Sequence, residues 1–314
     1  MSNGKQIVII GLGNMGTAIG AHLVEKGYLV HGHDIDSKRL AAAAGHGVLT
    51  HEKLEDAITA QMGVKIVWLM IPARSIEEIV GRVRTQLQKG DLIIDASNTF
   101  FHESIHRYHD LAADNIDFID CGISGGSKDI HFGAALMVGG EKETVEKHQE
   151  LFTDLAVPEG FGHVGSAGAG HFVKMVYNAI EYGMMGAIAE GINVLDEHKE
   201  GLDLNLHEAL KPYQHGSIIE STLMDWIAEA YEKEGCFEEV AGSVPKEDTE
   251  MDMEYLIEHE HVRVLDAAVL QRKLTRLEPS FTGTLISAMK RQFGVDTIIE
   301  TQSKDEHDTD THES

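Results

Sequence analysis

Several things are scarce in this sequence. Its 314 residues include two cysteines, Cys121 and Cys236, with no disulfide or metal-ligand spacing. That excludes a disulfide framework and fits a reducing cytoplasm. No apolar run approaches the ~18–20 residues of a membrane span. The first residues, Met1-Ser-Asn-Gly-Lys-Gln, lead straight into an apolar segment without a signal-peptide pattern. Basic residues are outnumbered: 26 Lys plus Arg against 52 Asp plus Glu give a formal net charge of −26. Such a charge argues against nucleic acid and anionic membranes as partners. The 19 histidines are scattered, and no metal is expected. What remains, 42% hydrophobic and 25% charged, is the composition of a globular protein with room for one large domain or two ordinary ones.

A buried-strand pattern over Lys5–Ile10 ends at Gly11-Leu12-Gly13-Asn14-Met15-Gly16. A helix pattern follows through Val24, and a second strand from Tyr28 closes at Asp34. This is G-x-G-x-x-G in its required setting, after a strand and opening a helix, with an acid about 20 residues on. The glycines let the backbone approach a pyrophosphate, and the helix N-terminus stabilises its charge. Asp34 is expected to hydrogen-bond the adenosine ribose. Ile35 and Asp36 follow, so a 2′-phosphate would meet two carboxylates; NAD is favoured over NADP, with Lys38 and Arg39 softening the repulsion.

The alternation continues. Strands are expected at 65–70, 91–95, 117–121 and 135–138, and helices at 38–44, 52–61, 75–88, 103–113 and 142–155. That order predicts an α/β Rossmann domain with a doubly wound sheet, parallel for much of its width. Met70, Ile71, Pro72 and Asn98 fall at strand ends, where ligands bind in such sheets. Ser124, with the amides of Gly125 and Gly126, sits at another strand-to-loop transition suited to a carboxylate or hydroxyl. Near Gly162–Gly170 the composition changes. Helical stretches are expected at 206–210, 217–233, 253–273 and 282–293, with an exposed acidic connection over 232–254. The domains read as 1–166 (dinucleotide binding), 167–301 (all-helical) and a disordered tail, 302–314.

Between these halves, a proline-free segment from Gly168 through Leu195 predicts a long helix. His171, Lys174, Asn178, Glu181 and Tyr182 fall on one face of it, and Phe172, Val173, Val176, Ala179 and Ile180 lie elsewhere for packing. A lysine, an amide and a carboxyl in line make an acid–base constellation. Spacing alone equally fits Lys174 and Glu181 on a solvated face.

These motifs, in this order, resemble the 6-phosphogluconate dehydrogenases of the β-hydroxyacid dehydrogenase superfamily. The likeness rests on Gly11–Gly16, Trp68-Leu-Met-Ile-Pro-Ala, Ile94-Asp-Ala-Ser-Asn98, Asp120–Gly126, Leu136-Met-Val-Gly-Gly140 and, most specifically, Gly168–Tyr182. The resemblance implies a cytoplasmic homodimer or homotetramer that oxidises and decarboxylates 6-phosphogluconate. It implies that Lys174 is the base at the 3-hydroxyl, that Asn178 orients that hydroxyl, and that Glu181 protonates C1 of the enediol. Asn98, Ser124, Gly125, Gly126 and Asn178 would hold the sugar acid, with Tyr177 also in contact with it. Tyr182 and Arg272, in Leu270-Gln-Arg-Lys-Leu, match phosphate positions, and Lys290 would reach a partner's site. Three positions depart from the pattern: Tyr177 and Asp296 stand where the family usually has His, and Glu220 where Arg is common. Two other readings stand beside this one. One is a related dehydrogenase of another sugar acid. The other is a cofactor-binding regulatory protein without turnover, against which the joint presence of Lys174, Asn178 and Glu181 argues.

Overall fold

The computed structural model describes residues 5–125, 133–232, 237 and 240–291. Gly126, Cys236, Asp296 and the 302–314 tail lie outside the described residues. Eight strands, β1 (Gln6–Ile10), β2 (Leu29–His33), β3 (Leu49–His51), β4 (Ile66–Leu69), β5 (Leu92–Asp95), β6 (Asp117–Ser124), β7 (Ala134–Gly140) and β8 (Ala156–Gly165), form one sheet. Their order is β3-β2-β1-β4-β5-β6-β7-β8. Between them run α1 (Asn14–Glu25), α2 (Ser37–Ala44), α3 (Leu54–Thr59), α4 (Ile76–Arg84), α5 (Phe101–Ala112), α6 (Lys142–Lys147) and α7 (Gln149–Leu155). Among the described residues, the elements that follow are helices: α8 (Ala169–Leu202), α9 (Leu206–Gln214), α10 (Thr222–Glu232), α11 (Asp248–His259), α12 (Arg263–Leu277) and α13 (Phe281–Arg291).

Burial explains why the apolar runs become strands. Along β1, Ile7 and Ile9 enter one core cluster and Val8 and Ile10 the other. β4 repeats this, with Trp68 on the first side and Val67 and Leu69 on the second. A strand covered by helices on both faces needs apolar side chains at every position, which is the pattern of a parallel sheet. The order reverses about β1, with β2 on one side and β4 on the other, and this switch point opens a crevice at the strand ends.

The sheet is parallel for most of its width, as expected, and mixed at one pair: β6 and β7 run antiparallel, while β7 and β8 run parallel to each other. The expectations need three corrections. β3 and β8 were not anticipated. β3 has three residues, too few to show a period. β8 carries Pro158 and glycines, which a strand tolerates at a sheet edge. The helix expected over 142–155 breaks at His148, and the one over 253–273 breaks at Glu260. Within 232–254, read as an exposed connection, Val240, Val244, Glu250 and Met253 are buried and α11 begins at Asp248.

The chain divides into two compact units. The first comprises Met1–Tyr182 with Glu247–Leu265, and the second Gly183–Lys246 with Asp266–Ser314. In the first, Tyr255 of α11 stacks edge-on against Phe100 at 5.0 Å and Phe101 at 5.8 Å. In the second, Met185, Ile192, Leu210, Ile227, Leu285 and Met289 build a separate core.

Candidate active site

Two of the three glycines in the first loop are required by packing. A Cβ at Gly11, whose φ is +95°, would lie 2.2 Å from the Met70 carbonyl, and one at Gly16 would lie 2.0 Å from the Gly11 carbonyl. Gly13 is different: a Cβ there would meet nothing within 4 Å. The space above it belongs to a cavity of about 490 Å³ lined by Leu12, Gly13, Asn14, Thr17, Lys38 and Arg39. Gly13 caps α1; among the described residues no side chain bonds to this end of the helix, and its first turn carries no acid. Its N–H groups are left to a phosphate, so the loop fits a dinucleotide.

Asp34 holds this loop. Its two carboxylate oxygens accept from the Leu12 N–H at 2.7 Å and the Asp36 N–H at 2.9 Å. Arg39 approaches it to 3.6 Å and Asp36 to 4.0 Å. Met70 donates its N–H to the Ile10 carbonyl, and Ile71 donates to Ser97 Oγ at 3.3 Å. This sets Pro72 beside Asn98. Both line a second cavity of about 570 Å³, together with Arg74, Phe100, Asp252 and Tyr255.

Asn98 is exposed between two buried neighbours, Ser97 and Thr99. Thr99 donates to Asp95 at 3.0 Å, and the Arg107 guanidinium donates to the same carboxylate at 2.9 Å. His171 Nδ1 lies 2.7 Å from Ser104 Oγ and 3.2 Å from Thr99 Oγ1. The Asn98 loop is thereby tied to the start of α8. The end of that helix is capped from the sheet: buried Asp120 accepts from the N–H groups of Gly168 at 2.6 Å and His171 at 2.8 Å. A carboxylate at a helix N-terminus satisfies orphan donors and complements the dipole. Asp120 was legible as part of a motif, but not as this cap.

Lys174, Tyr177, Asn178 and Glu181 all lie on α8. Lys174 Nζ sits 4.1 Å from the centroid of the Tyr177 ring. Burial lowers the Lys174 pKa to about 8, although the Glu181 carboxylate pulls the other way. Tyr177 accepts a hydrogen bond from Ser124 Oγ at 2.7 Å. Asn178 is 5% exposed. Gly125, at the end of β6, is exposed with φ at +134°. One unit thus brings together Lys174, Tyr177, Glu181 and Ser124.

The anion-binding residues are distributed otherwise. The Tyr182 hydroxyl donates to Glu247 at 2.9 Å and pairs with Thr249 at 2.8 Å. Sequence reasoning missed these two partners, because they fall in the stretch read as an exposed connection. Arg272 and Lys290 belong to the second unit, on α12 and α13, and both are buried. Glu220 accepts from the Gly216 N–H at 2.6 Å, so it holds a turn at a glycine with φ of +80°. Among the described residues, no helix is long and apolar enough to cross a membrane.

Known proteins bear on this geometry. The profile of the NAD binding domain of 6-phosphogluconate dehydrogenase matches residues 6–168, and that of the enzyme's C-terminal domain matches residues 170–200. A Bacillus subtilis protein provisionally named as a 6-phosphogluconate dehydrogenase, YqeC, is 32% identical over 92% of this chain and 97% of its own. The NAD(+)-dependent, decarboxylating 6-phosphogluconate dehydrogenase of Haloferax volcanii is 34% identical over 73% of this chain and 76% of its own. Among solved structures, Plasmodium falciparum 6-phosphogluconate dehydrogenase superposes with a TM-score of 0.79 at 22% identity, covering 96% of this chain and 67% of that one. With its bare-ended α1, its capped α8 and these relatives, the chain belongs to the 6-phosphogluconate dehydrogenase family, as an oxidoreductase with an NAD(P)-binding Rossmann domain.

Proposed function

We propose that this protein oxidises and decarboxylates 6-phosphogluconate to ribulose 5-phosphate and carbon dioxide, with NAD as the acceptor. The observation that carries the reading is Lys174, an amine on a buried face whose pKa is lowered to about 8 by burial. An amine poised there is partly neutral near physiological pH, as a general base must be. The bound nicotinamide supplies the hydride acceptor. The Gly11–Gly16 loop and the α1 N-terminus would hold its pyrophosphate, Asp34 the adenosine ribose, and Met70, Ile71, Pro72 and Asn98 the nicotinamide half. Lys174 takes the proton of the 3-hydroxyl, which Asn178 orients. As an ammonium it then stabilises the enolate left by carbon dioxide, and Glu181 protonates C1. Asn98, Ser124, Gly125 and Gly126 hold the sugar acid.

Asp34 supports NAD, since its carboxylate is fixed at the ribose end of the loop by two backbone N–H groups, and the Haloferax volcanii relative is named NAD(+)-dependent. By the family resemblance, Tyr182 and Arg272 are the proposed phosphate ligands, with Lys290 supplied from a partner subunit. The proposed enzyme is a cytoplasmic homo-oligomer, and the exposed Phe172, Ile180, Met184 and Val194 of α8 are apolar surface that a second copy could cover.

One observation favours a second reading. Tyr182 already pairs with the Glu247 carboxylate, and a carboxylate there repels a phosphate. A dehydrogenase of an unphosphorylated sugar acid fits that contact. Initial rates with 6-phosphogluconate, gluconate and other 3-hydroxy acids, each with NAD and NADP, decide between them. The main reading requires 6-phosphogluconate with NAD to give the highest kcat/KM.

A further inference from the structure

The cavity shared by Pro72 and Asn98 has an aromatic wall to which no role has been assigned. Phe100 and Tyr255 of α11 both line it, and both are half-buried. Their rings meet edge to face, 5.0 Å apart at 74°. The Tyr255 ring is held from two further sides. Phe101 lies edge-on at 5.8 Å, and His259, one turn along α11, stacks at 4.1 Å and 25°. Side chains already fixed in this way lose little freedom when a flat ring arrives. The cavity also continues the dinucleotide loop. Gly11 packs against the Met70 carbonyl, where a Cβ would lie 2.2 Å away, and just beyond Met70 the chain enters the cavity at Pro72. A dinucleotide with its pyrophosphate at the Gly11–Gly16 loop reaches this cavity with its nicotinamide half. Charge selects the same group. The lining has one cation, Arg74, against two carboxylates, Glu103 and Asp252. Glu103 pairs with Arg107 at 3.0 Å, but that guanidinium is shared with Asp95 and Glu77. A phosphate or carboxylate would meet net negative charge here. A pyridinium is flat and positive, and aromatic rings attract such a cation.

We propose that Tyr255 and Phe100 form an aromatic wall that receives the oxidised nicotinamide ring, which makes α11 part of the cofactor site. The inference rests on the cofactor placement proposed above and not on the identity of the substrate. The wall prefers the oxidised ring, because the reduced ring carries no positive charge for the aromatic pair to attract. Reduced cofactor is therefore held less tightly than oxidised cofactor, which suits a dehydrogenase that must release it after each oxidation.

The test is binding in the absence of substrate, by calorimetric titration with NAD, NADH and ADP-ribose, the last of which lacks the nicotinamide. Tyr255→Leu keeps apolar bulk and removes the ring. Tyr255→Phe removes only the hydroxyl, which lies 3.4 Å from His102 Nε2. In Tyr255→Leu, NAD affinity should fall about three- to tenfold, the range of a cation–aromatic contact. NADH should lose less, and ADP-ribose should stay within about twofold, which also shows that the variant is folded. Phe100→Leu should repeat this pattern, and Tyr255→Phe should bind all three as the wild type does. Unchanged NAD affinity in both leucine variants, equal losses for NAD and ADP-ribose, or equal losses for NAD and NADH would overturn the wall. A wild type that binds NAD but is inert with 6-phosphogluconate counts against the proposed reaction alone, and the same titrations still decide the wall. A wild type that binds no NAD overturns the wall and the cofactor placement together.

Discussion

Gly122 lies directly against Lys174: a Cβ added at Gly122 would stand 2.4 Å from the Lys174 Cβ and 3.1 Å from its Cγ. Strand β6 and helix α8 touch where the proposed base emerges, and the same strand supplies Asp120 below and Ser124 above. Packing and chemistry are therefore coupled at one residue.

Gly122→Ala should displace the Lys174 side chain. Overpacking of this kind costs about 1–3 kcal/mol, read as a lowered denaturation midpoint. NAD affinity should be retained, because the Gly11–Gly16 loop is untouched, while kcat falls. An alanine variant with normal kcat would show that the position of Lys174 is not critical.

Lys174 sets a pH dependence with a definite sign. Its pKa falls from 10.5 to about 8 in the fold, so kcat/KM should rise with pH and level off above about 8. Between those two values the unfolded chain holds a proton that the folded chain has released, so this group makes stability rise with pH across that window. Below 8 both states are protonated and the full cost of burying the ammonium is present. Lys174→Met removes that cost, of order 3 kcal/mol at most, less the ~0.5–2 kcal/mol of its contact with the Tyr177 ring. The variant should be at least as stable as wild type at pH 7, lose that advantage towards pH 10, and lose on the order of 10²–10⁴ in turnover while still binding cofactor.

Cofactor choice should follow Asp34 and Arg39. Asp34→Ala combined with Ile35→Arg should shift kcat/KM towards NADP. Because Asp34 also anchors the Leu12 and Asp36 amides, the same variant should bind NAD more weakly. Arg39→Ala should weaken NADP more than NAD, as its guanidinium is the cation nearest Asp34 among the described residues. Equal kcat/KM for NAD and NADP in the wild type would contradict the preference.

Glu247 tests the phosphate assignment. Glu247→Gln removes the charge beside Tyr182 and should lower KM for a phosphorylated sugar acid, leaving an unphosphorylated one unchanged. Arg272→Lys keeps the charge but loses the planar fork that grips phosphate, and should raise KM for 6-phosphogluconate severalfold. No change in either KM would assign the phosphate to other residues.

Much of this was legible in the sequence because local chemistry and tertiary role coincide. The Gly11–Gly16 loop, with its strand, helix and acid, is a contiguous signal, and so is the polar face of α8. What could not be read depended on distant partners. Asp120 caps a helix about fifty residues away in sequence, and no local pattern announces that. α11 carries Glu247 and Thr249 at its start, where charge hides the apolar period that buries Met253 and Leu256. β8 is obscured by Pro158, which its edge position and the irregular pairing between Ala156 and Phe161 permit.

The most direct measurement uses 6-phosphogluconate labelled at the carboxyl carbon, with NAD, and counts labelled carbon dioxide against reduced cofactor. A one-to-one ratio in the wild type, with both products lost in Lys174→Met, is the predicted result. Reduced cofactor without labelled carbon dioxide, or neither product from the wild type, would contradict an oxidative decarboxylase built on the Lys174 face of α8.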